Sequence, residues 1–331
     1  MTTTTGSRPP VATAPSPRRV SLADLTRRYA LVLIWLAMGA VFFILADVPL
    51  SNFLQGIFAR QTPLVFLGMA VVATMAVGEF DLSFPSVYGL SGAAVASLVI
   101  LHGWSFPAAA LAAVCLALLF GVVNALLVVR AGINSVIVTL GTGSVAIGLG
   151  GWISQETSVS GLDFTLSNIA LARVLGLPMI FWYGVVLVAA FGYVMSFTPL
   201  GRHILFVGSN REVARLAGIP VTYVRVGAWL TSALLCGVAG VVTAAGLGGF
   251  NTTSAREYFL PTFASVFLGT VAVVPGRFNP LGMFVAVYFL ITGIFGLQLL
   301  GYQGWVTDVF YGAVLVAAVG ASTLLQRRRG S

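Results

Sequence analysis

The chain has 331 residues, of which 58% are hydrophobic and 8% charged, against roughly 45–50% and 25% in soluble domains. So few charges exclude an ordinary globular surface, and apolar blocks of about 18–24 residues match the roughly 20 that a helix needs to cross a bilayer core. The net charge of +8 comes from 17 basic residues, every one an arginine, which excludes a Walker A phosphate loop or a Schiff-base lysine on this chain. The arginines sit at the ends of apolar blocks and form no basic domain of the kind that binds nucleic acid.

From the N-terminus, Met1 to Arg19 is Thr/Pro-rich and carries Arg8, Arg18 and Arg19. It cannot bury enough apolar surface to fold, so residues 1–28 are expected to form a disordered basic cytoplasmic tail. Arg18-Arg19 resembles a twin-arginine export signal, but the apolar stretch that follows is long and lacks a small-x-small cleavage site, which favours a retained first span. Apolar runs then predict spans at 29–46, 62–78, 85–101, 105–129, 133–153, 178–197, 226–247, 262–274, 280–300 and 305–325. The eighth, ahead of Pro275-Gly276, is short enough for a partial span, and eight spans is the alternative count.

With the N-terminus inside, the inner face receives Arg8, Arg18, Arg19, Arg27, Arg28, Arg130, Arg202, Arg211, Arg215, Arg225, Arg277 and Arg327 to Arg329. The outer face receives Arg60, Arg173 and Arg256. This bias obeys the positive-inside rule and predicts an all-α polytopic bundle of about ten transmembrane helices with both termini cytoplasmic. A transmembrane domain at 29–325 would be followed by a short basic cytoplasmic tail at 326–331.

Within the spans, Gly148-Leu149-Gly150-Gly151 and Gly237-Val238-Ala239-Gly240 are small faces suited to close helix packing. Cys115 and Cys236 lie in apolar segments without metal-like spacing and read as small hydrophobes. His102 and His203 have no partner spacing for metal or general-base chemistry. Gly141-Thr142-Gly143-Ser144-Val145-Ala146 fits a dinucleotide fingerprint only formally, since no βαβ context surrounds it.

The segment Thr198 to Arg225 is the longest polar stretch on the predicted inner face after the tail. Ser209 and Glu212 have capping-box spacing, Val213, Leu216 and Ala217 share a face, Gly218 suits a helix C-terminus and Pro220 blocks continuation. A short amphipathic helix is predicted, and one so short needs something to pack against. That surface is either the lipid interface and the bundle's own loops, or a groove on a cytoplasmic partner.

Pro199-Leu200-Gly201-Arg202, with Gly208-x-Asn210-x-x-x-Ala214-x-x-x-Gly218-Ile219, resembles the coupling loop of permeases in bacterial ribose/xylose/galactose-type ABC importers. Three other stretches agree in order: Gly78-Glu79-Phe80-Asp81-Leu82-Ser83, Thr139-Leu140-Gly141-Thr142, and Ala264-x-Val266-x-Leu268-Gly269 with Gly276-Arg277. Glu79 and Pro85 stand where the family usually has glycine. The resemblance implies that Ser209, Asn210, Arg211, Glu212, Val213, Ala214, Arg215, Leu216 and Gly218 meet a cytoplasmic ABC ATPase. It also implies a second permease chain and an extracytoplasmic solute-binding protein, in a bacterial plasma membrane. No cofactor would be bound by this chain, with ATP and Mg used by the partner ATPase.

Ionisable groups inside spans usually face protein or a water-filled path. Glu79 and Asp81, between Gly78 and Pro85, mark a broken helix and are either pathway residues or caps for the next helix. Ser83, Asn124, Thr139, Thr142, Ser144 and Gln298 supply uncharged hydrogen-bonding groups, which either contact a solute or stitch helices together. The function expected is ABC import of a monosaccharide-like solute by alternating access. The alternatives are a nucleoside or branched-chain amino-acid ABC permease and an ion-coupled secondary transporter.

Overall fold

A computed structural model describes residues 22–58, 62–163 and 172–330. Most of the predicted N-terminal tail, and Arg60, lie outside these residues. The first helix, α1 (Leu22–Ala46), takes in residues 22–28, which the sequence reading had placed in the tail. In chain order there follow α2 (Leu50–Phe58), α3 (Thr62–Met75), α4 (Phe84–Ile100), α5 (Phe106–Ala125), α6 (Ser135–Ile153), α7 (Met179–Phe197), α8 (Pro199–Ser209), α9 (Arg211–Leu216), α10 (Val221–Leu247), α11 (Phe259–Gly269), α12 (Pro280–Leu299) and α13 (Trp305–Gly330). In lipid only a helix satisfies all its backbone groups within one segment, so apolar blocks of this length fold this way.

Each predicted span coincides with a helix, but fewer helices have the length to cross. Among the described residues seven helical stretches are long and apolar enough, and Phe84–Ile100 and Trp305–Ala321 are shorter apolar helices. At 1.5 Å per residue the 11 residues of α11 reach about 16 Å, roughly half a hydrocarbon core.

Two helices form the centre. α4 is buried from Phe84 to Ser97 apart from Ser86 and is surrounded by α5, α6 and α10, while α10 packs on α3, α4 and α5. A second group, α1, α11, α12 and α13, joins the first through α3. The α10 seam runs on small residues: a methyl added at Gly240 would lie 2.7 Å from both the Gly92 nitrogen and the Tyr88 carbonyl, and one at Gly237 would lie 2.9 Å from Ala117 Cβ. Backbones therefore touch where hydrophobic force between helices is absent. The other predicted small face divides, for Gly150 packs against Thr252 and Leu90 whereas Gly148 is open.

At the ends, α5 finishes in a π-helical turn (Leu126–Arg130). β1 (Val159–Ser160) pairs antiparallel with β4 (Gly249–Phe250), and β2 (Arg173–Val174) with β3 (Leu177–Pro178). A 3-10 helix (Thr252–Tyr258), capped by Asn251, leads into α11. The turn from Gly269 to Pro280 is tied by Asn279, whose Nδ2 donates to the Gly269 carbonyl at 3.0 Å while Oδ1 accepts from Gly282 N at 2.6 Å.

Candidate functional site

Each residue of the 199–219 motif has a local physical reason. Thr198 caps α8, its Oγ1 accepting from Gly201 N at 3.3 Å, and Pro199 occupies the first helical turn, where its missing N–H costs nothing. Gly201 is pressed on the carbonyls of Val194 and Met195, and Gly208 on the carbonyl of Ala76, so neither position has room for a side chain. α8 ends at Ser209, whose hydroxyl donates back to Leu205 O at 2.8 Å. The predicted Ser209 cap is therefore corrected: Asn210 caps α9, Oδ1 accepting from Glu212 N and Val213 N at 3.0 and 3.1 Å.

The C-terminus of α9 follows the expected pattern. Gly218 adopts φ +77°, and the N–H groups of Gly218 and Ile219 donate to the carbonyls of Arg215 and Ala214, each at 3.0 Å, closing a Schellman motif. Ala214 is fully buried among Val77, Val207, Val221, Val224 and Ala228. It anchors α9 to the bundle, while Val213 and Ala217 are exposed and Leu216 is 88% exposed. The outward pair Arg215–Glu212, 3.7 Å apart and solvent-exposed on both sides, contributes little.

The break between α3 and α4 carries both carboxylates, and they face different partners. Glu79 is buried, and its Oε1 accepts from Arg211 Nη2 at 2.8 Å and from Arg225 Nε at 2.7 Å. Arg211 Nη2 also donates to the carbonyls of Gly78 (3.0 Å) and Val77 (3.3 Å), and Arg225 reaches the Val128 carbonyl in the π turn at 3.4 Å. One oxygen thus joins α9, the start of α10 and the α3–α4 break.

Asp81 is buried too, but its partners are hydroxyls and an amide. Oδ1 accepts from Ser83 N (2.9 Å) and Ser83 Oγ (2.6 Å), and Oδ2 from Ser232 Oγ (2.8 Å). Asn124 Nδ2 donates to Ser83 Oγ at 3.0 Å, and Thr142 Oγ1 donates to Asn124 Oδ1 at 2.7 Å. Thr139 Oγ1 accepts from Leu82 N at 3.0 Å, and Ser135 Oγ from Phe80 N at 3.2 Å. Asp81, Ser83, Asn124, Thr139 and Thr142 therefore lie in one polar network across the break, α5, α6 and α10, and Glu79 belongs to the arginine cluster.

Open space lies beside that network. A cavity of about 440 Å³ between α4, α6, α11 and the 3-10 helix is lined by Ser86, Thr139, Ser144, Thr252 and Arg256 among apolar neighbours. A second, of about 290 Å³, adds Gly148, Glu156 and Asn251 and shares Ile147, Thr252 and Arg256 with the first. Together they make a groove along the exposed face of α6. Of the residues read from sequence, Thr139 and Ser144 line it. Arg225, Ser232, Ser86 and Arg256 were missed as site residues. Glu79 is one of nine acidic residues in the chain, and its arginine partners, 132 and 146 residues away, left no local sequence signal.

Residues 53–319 match the family model described as branched-chain amino acid transport system / permease component. The chain is 27% identical over 277 residues to the D-allose transport system permease protein AlsC of Escherichia coli K12, covering 84% of this chain and 85% of that protein. It is 28% identical to the L-arabinose ABC transporter permease protein AraH of Azospirillum brasilense, covering 95% and 93%. It is 26% identical to the autoinducer 2 import system permease protein LsrC of Escherichia coli K12 / DH10B, covering 89% and 85%. No solved structure matches the chain. The family match spans most of the sequence, and the described residues include seven helical stretches long and apolar enough to cross a membrane, so this multi-pass inner-membrane protein belongs to the family of permease components of the branched-chain amino acid transport system type.

Proposed function

We propose that this chain is the membrane-spanning permease of an ATP-driven importer for a monosaccharide-like solute. The relatives named for D-allose, L-arabinose and autoinducer 2 support the solute class. In this reading α9 docks into a groove on a cytoplasmic ATPase, which binds and hydrolyses ATP with Mg. The observation that carries it is the construction of α9. Its ends are capped by Asn210 and Gly218, its inner face is fixed by Ala214, and an apolar face of Val213, Leu216 and Ala217 is left outward. An exposed apolar face on a helix too short to stand alone calls for a partner.

In the same proposal both termini and the α8–α9 loop are cytoplasmic, and about ten helices enter the bilayer. A second permease chain faces the α6 groove, and a solute-binding protein delivers solute at the end that holds Asn251 and Glu156. Alternating access then opens the groove to one side at a time. The chain supplies passage and coupling, with the chemistry of hydrolysis on another subunit.

The test is affinity purification of the chain from its membrane with mass spectrometry of retained proteins, beside Leu216→Glu. An ABC ATPase held by the parent and lost by the correctly inserted variant supports the reading. A parent chain that retains no ATPase, under conditions that preserve another ABC complex, contradicts it. Uptake assays with D-allose and L-arabinose then address the solute class.

A further inference from the structure

We propose that Glu79 is a positioning residue for coupling: with Arg211 and Arg225 it forms an ion strut that carries movement of the docking helix into the α3–α4 break and on to the groove. This rests on the docking reading above and goes beyond it by naming the mechanical link.

The strut is specific in its connections. Arg211 is the first residue of α9, and its guanidinium is held by the carbonyls of Val77 and Gly78 as well as by the Glu79 carboxylate. Arg225, in the first turns of α10, holds the same carboxylate oxygen and the end of α5. The other attachments of α9 are apolar, through Ala214 and its neighbours. Apolar contact resists separation without fixing direction, whereas charge-assisted hydrogen bonds are directional.

From Glu79 the route continues without a gap. Two residues on, Asp81 binds Ser232 of α10 and Ser83, and Ser83 leads through Asn124 of α5 to Thr142 of α6. Two and six residues beyond Thr142, the same helix lines the groove with Ser144 and Gly148. Energetic coupling across such distances travels through contiguous bonded and packed groups. A purely structural role for the cluster makes a different forecast, in which its loss lowers stability and leaves the nucleotide response intact.

The two are separated by a reporter in the groove, read in the assembled transporter purified with its ATPase. In a Cys115→Ala, Cys236→Ala background, Gly148→Cys supplies the label site, since a Cβ there meets no heavy atom within 4 Å. Labelling by a membrane-impermeant maleimide is measured without nucleotide and with ATP plus vanadate, and is normalised to the ATPase retained. The parent should show a nucleotide-dependent change, and Arg211→Gln and Glu79→Gln should reduce it about five- to tenfold. Arg277→Gln, an exposed arginine outside the cluster, should leave it as in the parent. Should Glu79→Gln fail to insert, Arg211→Gln decides alone, because that side chain is 38% exposed and its loss leaves no buried void. A response in Arg211→Gln equal to the parent's overturns the strut, as does an equal loss in Arg277→Gln. Absence of the ATPase from the parent complex instead overturns the docking reading.

Discussion

Glu79 and Asp81 are separated by one residue on the same broken segment, and both are buried, yet their surroundings differ in kind. Glu79 meets two guanidinium groups, one of them on a helix partly open to water. Asp81 meets two serine hydroxyls and a backbone N–H inside the bundle. The first arrangement balances charge and ties the α3–α4 break to α9 and to the start of α10. The second joins the α3–α4 break to α5, α6 and α10, with no basic side chain among its hydrogen-bond partners, so every one of its hydrogen bonds must remain made.

The largest expected effect comes from breaking the second arrangement. Asp81→Ala orphans the Ser83 N–H and the hydroxyls of Ser83 and Ser232, at about 1–3 kcal/mol for each buried group left unsatisfied. Thermal unfolding in detergent should fall far below the parent, with little protein recovered as a single species by size exclusion.

A backbone test at the docking side comes next. Gly208→Val places a branched side chain on the Ala76 carbonyl, and overpacking of this kind costs about 1–3 kcal/mol. The shift of α8 should reduce ATPase retention more than it reduces melting temperature. Ordinary ATPase retention in this variant would show that α8 has slack the structure does not display.

Smaller still is Thr142→Val, which removes one hydrogen bond to Asn124 Oδ1 at the edge of the network and should cost about 1 kcal/mol in unfolding experiments. Salt sharpens the comparison at the lowest amplitude. At 1 M ionic strength the screening length is about 3 Å, so the penalty of Arg211→Gln should shrink while that of Asp81→Asn stays constant.

Much of this was legible in the sequence. The helices follow from apolar blocks of membrane length, the break from Gly78 and Pro85, and the docking helix from its terminal signals. The cap was misplaced by one residue because Ser209 and Asn210 are both good capping types, and Ser209 is consumed as the last residue of α8, a helix the sequence reading did not separate from the loop. The partners of Glu79 lie 132 and 146 residues away, and no local pattern encodes that pairing. Asn124 and Thr142 were recognised as hydrogen-bonding groups, but only packing decides whether such a group turns inward to the network or outward to the groove, as Ser144 does. The late turn illustrates the same limit. It is held by Asn279, which ties several carbonyls at once and which no sequence pattern singled out.

The most direct test compares the two isosteric variants Glu79→Gln and Asp81→Asn in one detergent preparation, reading melting temperature and nucleotide-dependent labelling at Gly148→Cys. The division of roles predicts that Asp81→Asn lowers the melting temperature substantially, while Glu79→Gln stays much closer to the parent and loses the nucleotide response. A melting temperature reduced equally in both variants, or a full response in Glu79→Gln, would contradict it.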